Sequence, residues 1–378
     1  MKKQRKLIIV LMILSIIVFI AAGVVNAANM GGYVTAKEAA KSTVQLKNAT
    51  MKTASDVYID GEKVEDGSSN TTTIKADIDN KLYSSVIEYP DQPAITNSKV
   101  AVNGSETSYT VPSKSESYQT ADKNIYSVYM DDTNIPQYQI MEQPFTVKNL
   151  FDMPKEQVRI YEILLDTFSG SAKDYVSTES VDNQKKISAN INNEQLDDTI
   201  NELVNLIAVS YVGYAAYDSN NPGYVKDPTN TKMEDFMNKM ANGYISNCSI
   251  SNIKVNADVN DQNYITKANI EITFEYTDKA GVKTSLKYVT TFEITDIGTT
   301  KVELPELNDK NTVDITSPSD DAYNKFYEDP NAQNFLNGYY ELQDKIINNY
   351  YNMTDSQKAD VQNKINEIKG IIDNAKNQ

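Results

Sequence analysis

Histidine is absent from this sequence, and cysteine occurs once, at Cys248. Without imidazole there is no Ser-His-Asp or Cys-His nucleophile, no HExxH zinc site and no histidine base. A single cysteine also excludes an intramolecular disulfide and cysteine-rich zinc or iron–sulfur sites. The catalytic chemistries that remain are carboxylate pairs and Ser–Lys nucleophiles. We therefore predict a protein without metal, cofactor or catalytic residues.

Two short patterns imitate functional motifs. The segment Ser251–Lys254 matches S-x-x-K, but that signature opens a helix in serine acyl-enzymes and has S-D-N and K-T-G companions. Here it falls at a strand edge without either companion. The segment Asp218–Gly223 begins like a calcium loop, yet Pro222 replaces a ligand and Thr229 stands where the bidentate glutamate belongs. We interpret both as coincidental; a carboxylate hydrolase stays as the third hypothesis for function.

The first 27 residues have the order of an export signal. Four positive charges lie within residues 2–6, residues 7–25 carry no charge, and Val25-Asn26-Ala27 resembles an A-x-A cleavage site. Cleavage after Ala27 would release the chain. Retention would anchor it in the cytoplasmic membrane through residues 7–25, which approach the length needed to span a bilayer. In either case we expect residues from about 28 onward to be extracytoplasmic.

The remaining chain is strongly acidic. The net charge is −16, and removing the four positive charges of residues 1–27 makes it −20. Such a surface disfavours nucleic acid and anionic lipid headgroups as partners. The sequence therefore predicts no nucleic-acid partner.

The region 28–316 is predicted to be one α+β domain. A helix is expected over Thr35–Lys47, with Thr35 and Glu38 forming a capping box at its start. Residues 51–147 are predicted to be β-rich, and Asp60-Gly61 is typical of a tight hairpin turn. The predicted β runs are Val57–Ile59, Thr72–Ile78, Leu82–Tyr89, Lys99–Val102, Tyr109–Val111 and Ile125–Met130.

Residues 152–247 are predicted to be helical. One helix is expected to open at Asp152-Met153-Pro154, and a second covers Glu194–Tyr217. A third has apolar residues at helical spacing from Met233 to Tyr244.

The clearest pattern lies within the β-rich region 250–305. Residues 264–276 and 282–294 alternate between apolar and polar side chains on either side of a five-residue turn, and Val255–Val259 supplies a preceding strand. This pattern predicts adjacent antiparallel strands with one apolar face. A helix laid over that face could enclose a hydrophobic ligand. The candidate ligand-binding residues are Met233, Phe236, Met237, Met240, Ile270, Ile272, Phe274, Leu286, Tyr288 and Phe292. The alternative is that these residues fill a solid core.

Residues 317–378 form a predicted C-terminal helical region. Phe335, Leu336, Tyr339, Leu342, Ile346 and Tyr350 line one helical face, and Val361, Ile365, Ile368 and Ile372 line another.

The order of helix, β-hairpins, helical middle and long final hairpin ending at Thr299–Pro305 resembles the extracytoplasmic carriers of the LolA/LppX type. The resemblance covers about residues 35–305; no lipid-anchor cysteine is present, and the C-terminal helices are additional. It implies a curved, half-barrel-like antiparallel sheet covered by helices, with a cavity for an acyl chain or similar ligand.

The leading hypothesis is a non-enzymatic extracytoplasmic protein that binds a hydrophobic, lipid- or acyl-like ligand or a cell-envelope partner. The runner-up is an extracellular interaction or assembly module with a solid core and no ligand.

Overall fold

The structure is a computed structural model. It describes residues 31–64, 69–89, 97–102, 105–110, 114–128, 135–145, 151–153, 174–181, 184–196, 245–278 and 281–313, together with isolated positions elsewhere. The predicted helical segments over 197–244 and 317–378, and the candidate residues Met233, Phe236, Met237 and Met240, lie outside these continuous ranges.

Helix α1 covers Gly31–Val44. It begins four residues before the predicted start, so Thr35 lies inside the helix and the predicted capping box at its start is wrong. Gly32 permits a close approach to the sheet, because a Cβ atom there would lie 2.5 Å from the carbonyl oxygen of Val176. The Thr43 hydroxyl donates to the Ala39 carbonyl at 2.7 Å and accepts from the Ile265 amide at 2.8 Å. Thr43 therefore joins the end of α1 directly to the sheet.

The described chain is dominated by β-strands. They are β1 (Asn48–Ile59), β2 (Glu62–Lys63), β3 (Asn70–Asp77), β4 (Leu82–Glu88), β5 (Asn97–Val102), β6 (Ser105–Thr110), β7 (Lys114–Gln119), β8 (Lys123–Val128), β9 (Gln137–Glu142), β10 (Val176–Val181), β11 (Gln184–Asn192), β12 (Ile245–Val259), β13 (Ile265–Asp278), β14 (Lys283–Thr295) and β15 (Thr312–Val313).

Thirteen of these strands form one open sheet. Its order is β10-β11-β12-β13-β14-β1-β3-β4-β7-β8-β9-β15, with β2 paired to β1, while β5 and β6 form a separate hairpin. Every pair is antiparallel except β9–β15. The predicted neighbours β12, β13 and β14 are confirmed. The last long strand lies beside the first, with Phe292 opposite Thr53.

The turn at Asp60-Gly61 is also confirmed. Ile59 pairs with Glu62, and the two residues between them have φ of 49° and 85°. Positive φ at both positions is the geometry of a two-residue hairpin, and it explains why Asp-Gly occupies them.

The prediction of a helical segment over 152–247 is wrong for residues 176–181 and 184–192, which form β10 and β11, and for residues 245–247, which begin β12. Ile187, Ala189 and Ile191 are buried and alternate with exposed residues along β11. This is a strand period of two. It is hard to see in the sequence because only three apolar residues alternate, after the polar run Gln184–Lys186. The predicted helical cover is not shown by the described residues, which contain one complete α-helix and are sheet-dominated.

Two apolar clusters lie on one face of the sheet, which we call the inner face. The β12 cluster is centred on β11 to β14 and includes Ala36 and Ala39 of α1. The β3 cluster is formed by Leu46, Ala49, Met51, Ile74, Ala76, Ile78, Tyr83, Phe151 and Ile294. Phe292 packs against both clusters. The hydrophobic core therefore extends along the inner face from β11 to β4.

Candidate ligand-binding face

The six described candidate residues share the inner face of β13 and β14. Phe274 lies opposite Leu286, Ile272 opposite Tyr288, and Phe292 opposite Ala268. Because cross-strand partners point to the same side of a sheet, these side chains form one continuous apolar surface. The structure thus brings together Ile270, Ile272, Phe274, Leu286, Tyr288 and Phe292.

Burial differs along this apolar surface. Ile270, Ile272, Phe274 and Leu286 are only 3–5% exposed, whereas Tyr288 and Phe292 are half-buried. The rings of Phe274 and Tyr288 meet edge to face, with centroids 6.2 Å apart and planes at 82°. Such a contact contributes about 0.5–1.5 kcal/mol beyond area burial. β13 therefore lies in closely packed core, and β14 carries the less covered part of the surface.

The only cysteine of the chain lies in this core. Cys248 pairs with Tyr276 across β12 and β13 and is buried. Burial raises the pKa of the Cys248 thiol to about 12, although its hydrogen bond with Tyr276 acts in the opposite direction. Burial also raises the pKa of Tyr276, with smaller contributions from Cys248 and Tyr288. Both groups are neutral at physiological pH, and the thiol is a packing group rather than a nucleophile.

A polar strip separates the β12 and β3 clusters on the inner face, and we call it the seam. It consists of Thr53, Ser55, Asn70, Thr72 and Thr290. Ser55 pairs with Thr290 on one side and Asn70 on the other, and Thr53 pairs with Thr72. The hydroxyls of Ser55 and Thr290 lie 3.2 Å apart, within hydrogen-bonding distance. The seam places neutral hydroxyl and amide groups between two apolar walls.

Three seam residues are almost completely buried: Thr53 is 7%, Asn70 2% and Thr72 3% exposed. Asn70 Oδ1 accepts a long hydrogen bond of 3.5 Å from the Thr72 hydroxyl. Five buried side-chain polar atoms of the described residues have no hydrogen-bond partner, and two of them are Thr53 Oγ1 and Asn70 Nδ2. An unsatisfied buried polar group costs about 1–3 kcal/mol. The seam therefore weakens the core at this point.

Sequence reasoning did not identify the seam. Its signal is an interrupted alternation: the inward positions of β1 read Ala49, Met51, Thr53, Ser55 and Val57. Two polar residues thus stand where the strand pattern calls for apolar ones. The register with β14 and β3, which aligns these interruptions, could not be read from the sequence.

The outer face of the same strands is polar. One row crosses six strands with alternating charge, through Glu179, Lys186, Asp258, Lys267, Glu293 and Lys52 in adjacent register positions. Opposite charges facing each other across strands stabilise the pairing modestly. This row is a solvated face that helps to fix the strand register.

The remaining candidates for catalysis have structural roles. Ser251 lies in β12, and its hydroxyl donates to the carbonyl oxygen of Thr273 at 3.2 Å. The S-x-x-K pattern is thus on a strand, as expected for a coincidental match. Glu116, the buried carboxylate of the described residues, lies 2.6 Å from Lys114 Nζ and accepts from the Tyr138 hydroxyl at 3.2 Å. Its contacts stabilise the β7–β9 end of the sheet.

The sequence matches no protein-family profile, and no curated protein sequence is significantly similar to it. Among the residues that the structure describes, no helix has the length and hydropathy needed to cross a membrane.

Proposed function

We propose that this chain is a non-enzymatic extracytoplasmic protein that binds a hydrophobic, lipid- or acyl-like ligand against the inner face of its sheet. The observation that carries the proposal is that the burial of the apolar side chains differs along that face. Two apolar clusters connected by Phe292 extend from β11 to β4 on either side of the seam, and their side chains are least covered on β14, where Tyr288 and Phe292 are half-buried. An acyl chain laid along β14 would complete the burial of both rings.

The energetics are adequate for useful affinity. Burying ten methylene groups is worth up to ~8 kcal/mol at ~0.8 kcal/mol each, before the cost of association is subtracted. The similarity of element order to LolA/LppX-type carriers supports the same class of ligand.

The location outside the cytoplasm is supported by the basic, apolar and small-residue order of residues 1–27. N-terminal sequencing of the protein from the exported fraction should give a start at Ala28, or an intact residue 1 if the segment is retained. Recovery of most of the chain from the cytosol would contradict the proposal.

Ligand binding can be tested by displacement of the apolar fluorophore N-phenyl-1-naphthylamine and by ligand-dependent melting. A lipid that binds the folded state raises the melting temperature by mass action, because it does not bind the unfolded chain. We expect acyl-containing lipids to displace the fluorophore and to raise the melting temperature in a concentration-dependent way. Phe292→Ser, which makes the least covered part of β14 polar, should weaken both effects, whereas Thr291→Ser on the outer face should not.

A second candidate is an interaction or assembly module, and the near-complete burial of Ile270, Ile272, Phe274 and Leu286 favours it. These residues already fill one another's space as a solid core does. A protein that neither displaces the fluorophore nor responds to any lipid belongs to this class.

A further inference from the structure

The seam provides a binding position for one particular part of a ligand. We propose that Thr53 and Asn70 bind the uncharged oxygen acceptor of an acyl compound, such as an ester carbonyl, while its hydrocarbon chain lies on the apolar surface beside the seam. This inference rests on the proposed function and specifies the chemistry of its ligand.

The first argument is the position of the unpartnered atoms. Thr53 pairs with Thr72, and Asn70 precedes Thr72 by two residues on the same face of β3. Thr53 and Asn70 are therefore diagonal neighbours, whose Cβ atoms lie within about 7–8 Å of each other. Both atoms are buried, so a ligand oxygen that displaced the groups covering them would accept from the amide Nδ2 of Asn70 and from the hydroxyl of Thr53.

The second argument is the cost of leaving these groups unpaired. Thr53 Oγ1 and Asn70 Nδ2 are buried without a hydrogen-bond partner among the described residues. Valine fits the space of threonine at position 53 and would remove the unpaired hydroxyl. A ligand acceptor that satisfies both groups explains why polar side chains occupy inward positions between two apolar clusters.

The third argument is charge. The five side chains of the seam are all uncharged, and their strand neighbour Asp56 lies on the outer face, where it contacts Lys63 at 3.0 Å and accepts from Ser69 at 2.9 Å. A carboxylate or phosphate bound in the seam would be buried beside neutral donors, with no cation on the inner face of the described strands around it, which is strongly unfavourable. The seam therefore selects an ester or amide oxygen over an ionised headgroup.

The test compares three probes with the same chain length: methyl stearate, stearate and octadecane. Each is used to displace N-phenyl-1-naphthylamine from the mature protein. We expect methyl stearate to bind most tightly, on the order of tenfold tighter than octadecane, since each hydrogen bond contributes a factor of several. Thr53→Val and Asn70→Leu should each reduce this preference severalfold and leave octadecane binding unchanged or stronger.

The control is Thr50→Val on the same strand. The Thr50 hydroxyl faces the outer side and lies 2.9 Å from that of Thr300, so it is already partnered. This variant should keep the wild-type ester preference. If the probes bind but the preference for methyl stearate is absent or survives in both seam variants, the seam assignment is wrong while the proposed function stands. If none of the probes binds, the proposed function itself fails.

Discussion

The β12 cluster and the seam lie side by side on the same face of the same sheet, yet they are built on opposite principles. In the β12 cluster, inward positions of neighbouring strands carry aliphatic or aromatic side chains, and Ile250, Ile253, Val255, Ile270 and Ile272 are at most 3% exposed. In the seam, the nearly fully buried positions carry Thr53, Asn70 and Thr72, and two of their polar atoms have no hydrogen-bond partner among the described residues. The apolar packing of the β12 cluster stabilises the fold, whereas the unsatisfied polar groups of the seam destabilise it locally.

This difference indicates where function should be sought. Packing in the hydrophobic core is enough to account for a row of buried apolar residues on a strand. Unsatisfied polar groups at the junction of two core clusters do need one, because they lower the free energy of unfolding. We therefore expect a specific role in ligand binding for the small polar residues of β1 and β3 rather than for the large apolar residues of β13.

The largest expected effect comes from charging the β12 cluster. Phe274→Asp places a carboxylate at a position that is 5% exposed and opposite Leu286. We expect loss of several kcal/mol of unfolding free energy or failure to fold, because the charge has no partner. Thr291→Asp, at an exposed outer-face position of β14, should change the melting temperature by a degree or two at most. An unchanged melting temperature for Phe274→Asp would overturn the assignment of the inner face.

High pH should destabilise the same cluster. The pKa of Cys248 is raised from 9.0 to about 12 in the folded protein, and that of Tyr276 is raised above 10.0. A raised pKa contributes stability that is complete below the unfolded-state value and is lost as the pH rises through the folded-state value. Chemical denaturation should therefore show stability falling between pH 9 and 12 by an amount on the order of a few kcal/mol.

The matched variant for this effect is Cys248→Ala. It removes one titrating group, so its stability should decline less steeply over the same pH range. A decline identical to that of the wild type would show that Cys248 does not contribute.

Two threonines of β1, Thr50 and Thr53, show how the free energy of unfolding depends on whether a buried hydroxyl is hydrogen-bonded. Thr50→Val removes a hydroxyl that is hydrogen-bonded to Thr300, at an expected cost of about 0.5–1.5 kcal/mol, since the Thr300 hydroxyl keeps its hydrogen bond to the Asp296 carbonyl. Thr53→Val removes an unpartnered hydroxyl and should be neutral or stabilising in the absence of ligand. Urea denaturation of the two variants measures the difference directly. Equal destabilisation would show that Thr53 is satisfied in the folded protein.

The smallest expected effect is on the outer face. Lys267→Glu places a third carboxylate between Asp258 and Glu293 in the charge row. Because these groups are solvated, we expect a loss of about 0.2–1 kcal/mol that decreases at high salt. Lys267→Gln should have a smaller effect. A loss that does not depend on salt would show that the row is not held by charge.

The sequence predicted the long final hairpin well because its alternation is unbroken over two strands of more than ten residues. The strands β12 to β14, their antiparallel pairing and the Asp60-Gly61 turn are all confirmed. The pattern also placed Phe274 and Leu286 on one face correctly, since a period of two leaves no other choice once one residue faces inward.

The start of α1 and the strands β10 and β11 were predicted wrongly for local reasons. Thr35 and Glu38 satisfy the capping pattern, but they lie within a helix that begins at Gly31. In β11 the inward apolar residues are only three, and the polar residues before them resemble a connection. Both errors arise because contacts with distant parts of the chain override local preference.

The seam could not be predicted because it depends on register. Thr53 and Asn70 are 17 positions apart in the chain, and only the pairing of β1 with β3 makes them neighbours. Its adjacency to Thr290 further depends on β14 lying beside β1, a contact across more than 230 residues.

Native mass spectrometry of the exported protein distinguishes an inner face that holds an acyl-like ligand from an empty one. Spectra should be recorded for protein purified gently and for the same protein after delipidation and refolding. If the inner face binds an acyl-like ligand, we expect an additional mass on the order of a few hundred daltons or more that disappears on extraction, with an ester- or amide-containing acyl compound recovered in the solvent. A protein that emerges at its polypeptide mass alone, and remains at that mass after incubation with acyl esters, does not bind such a ligand.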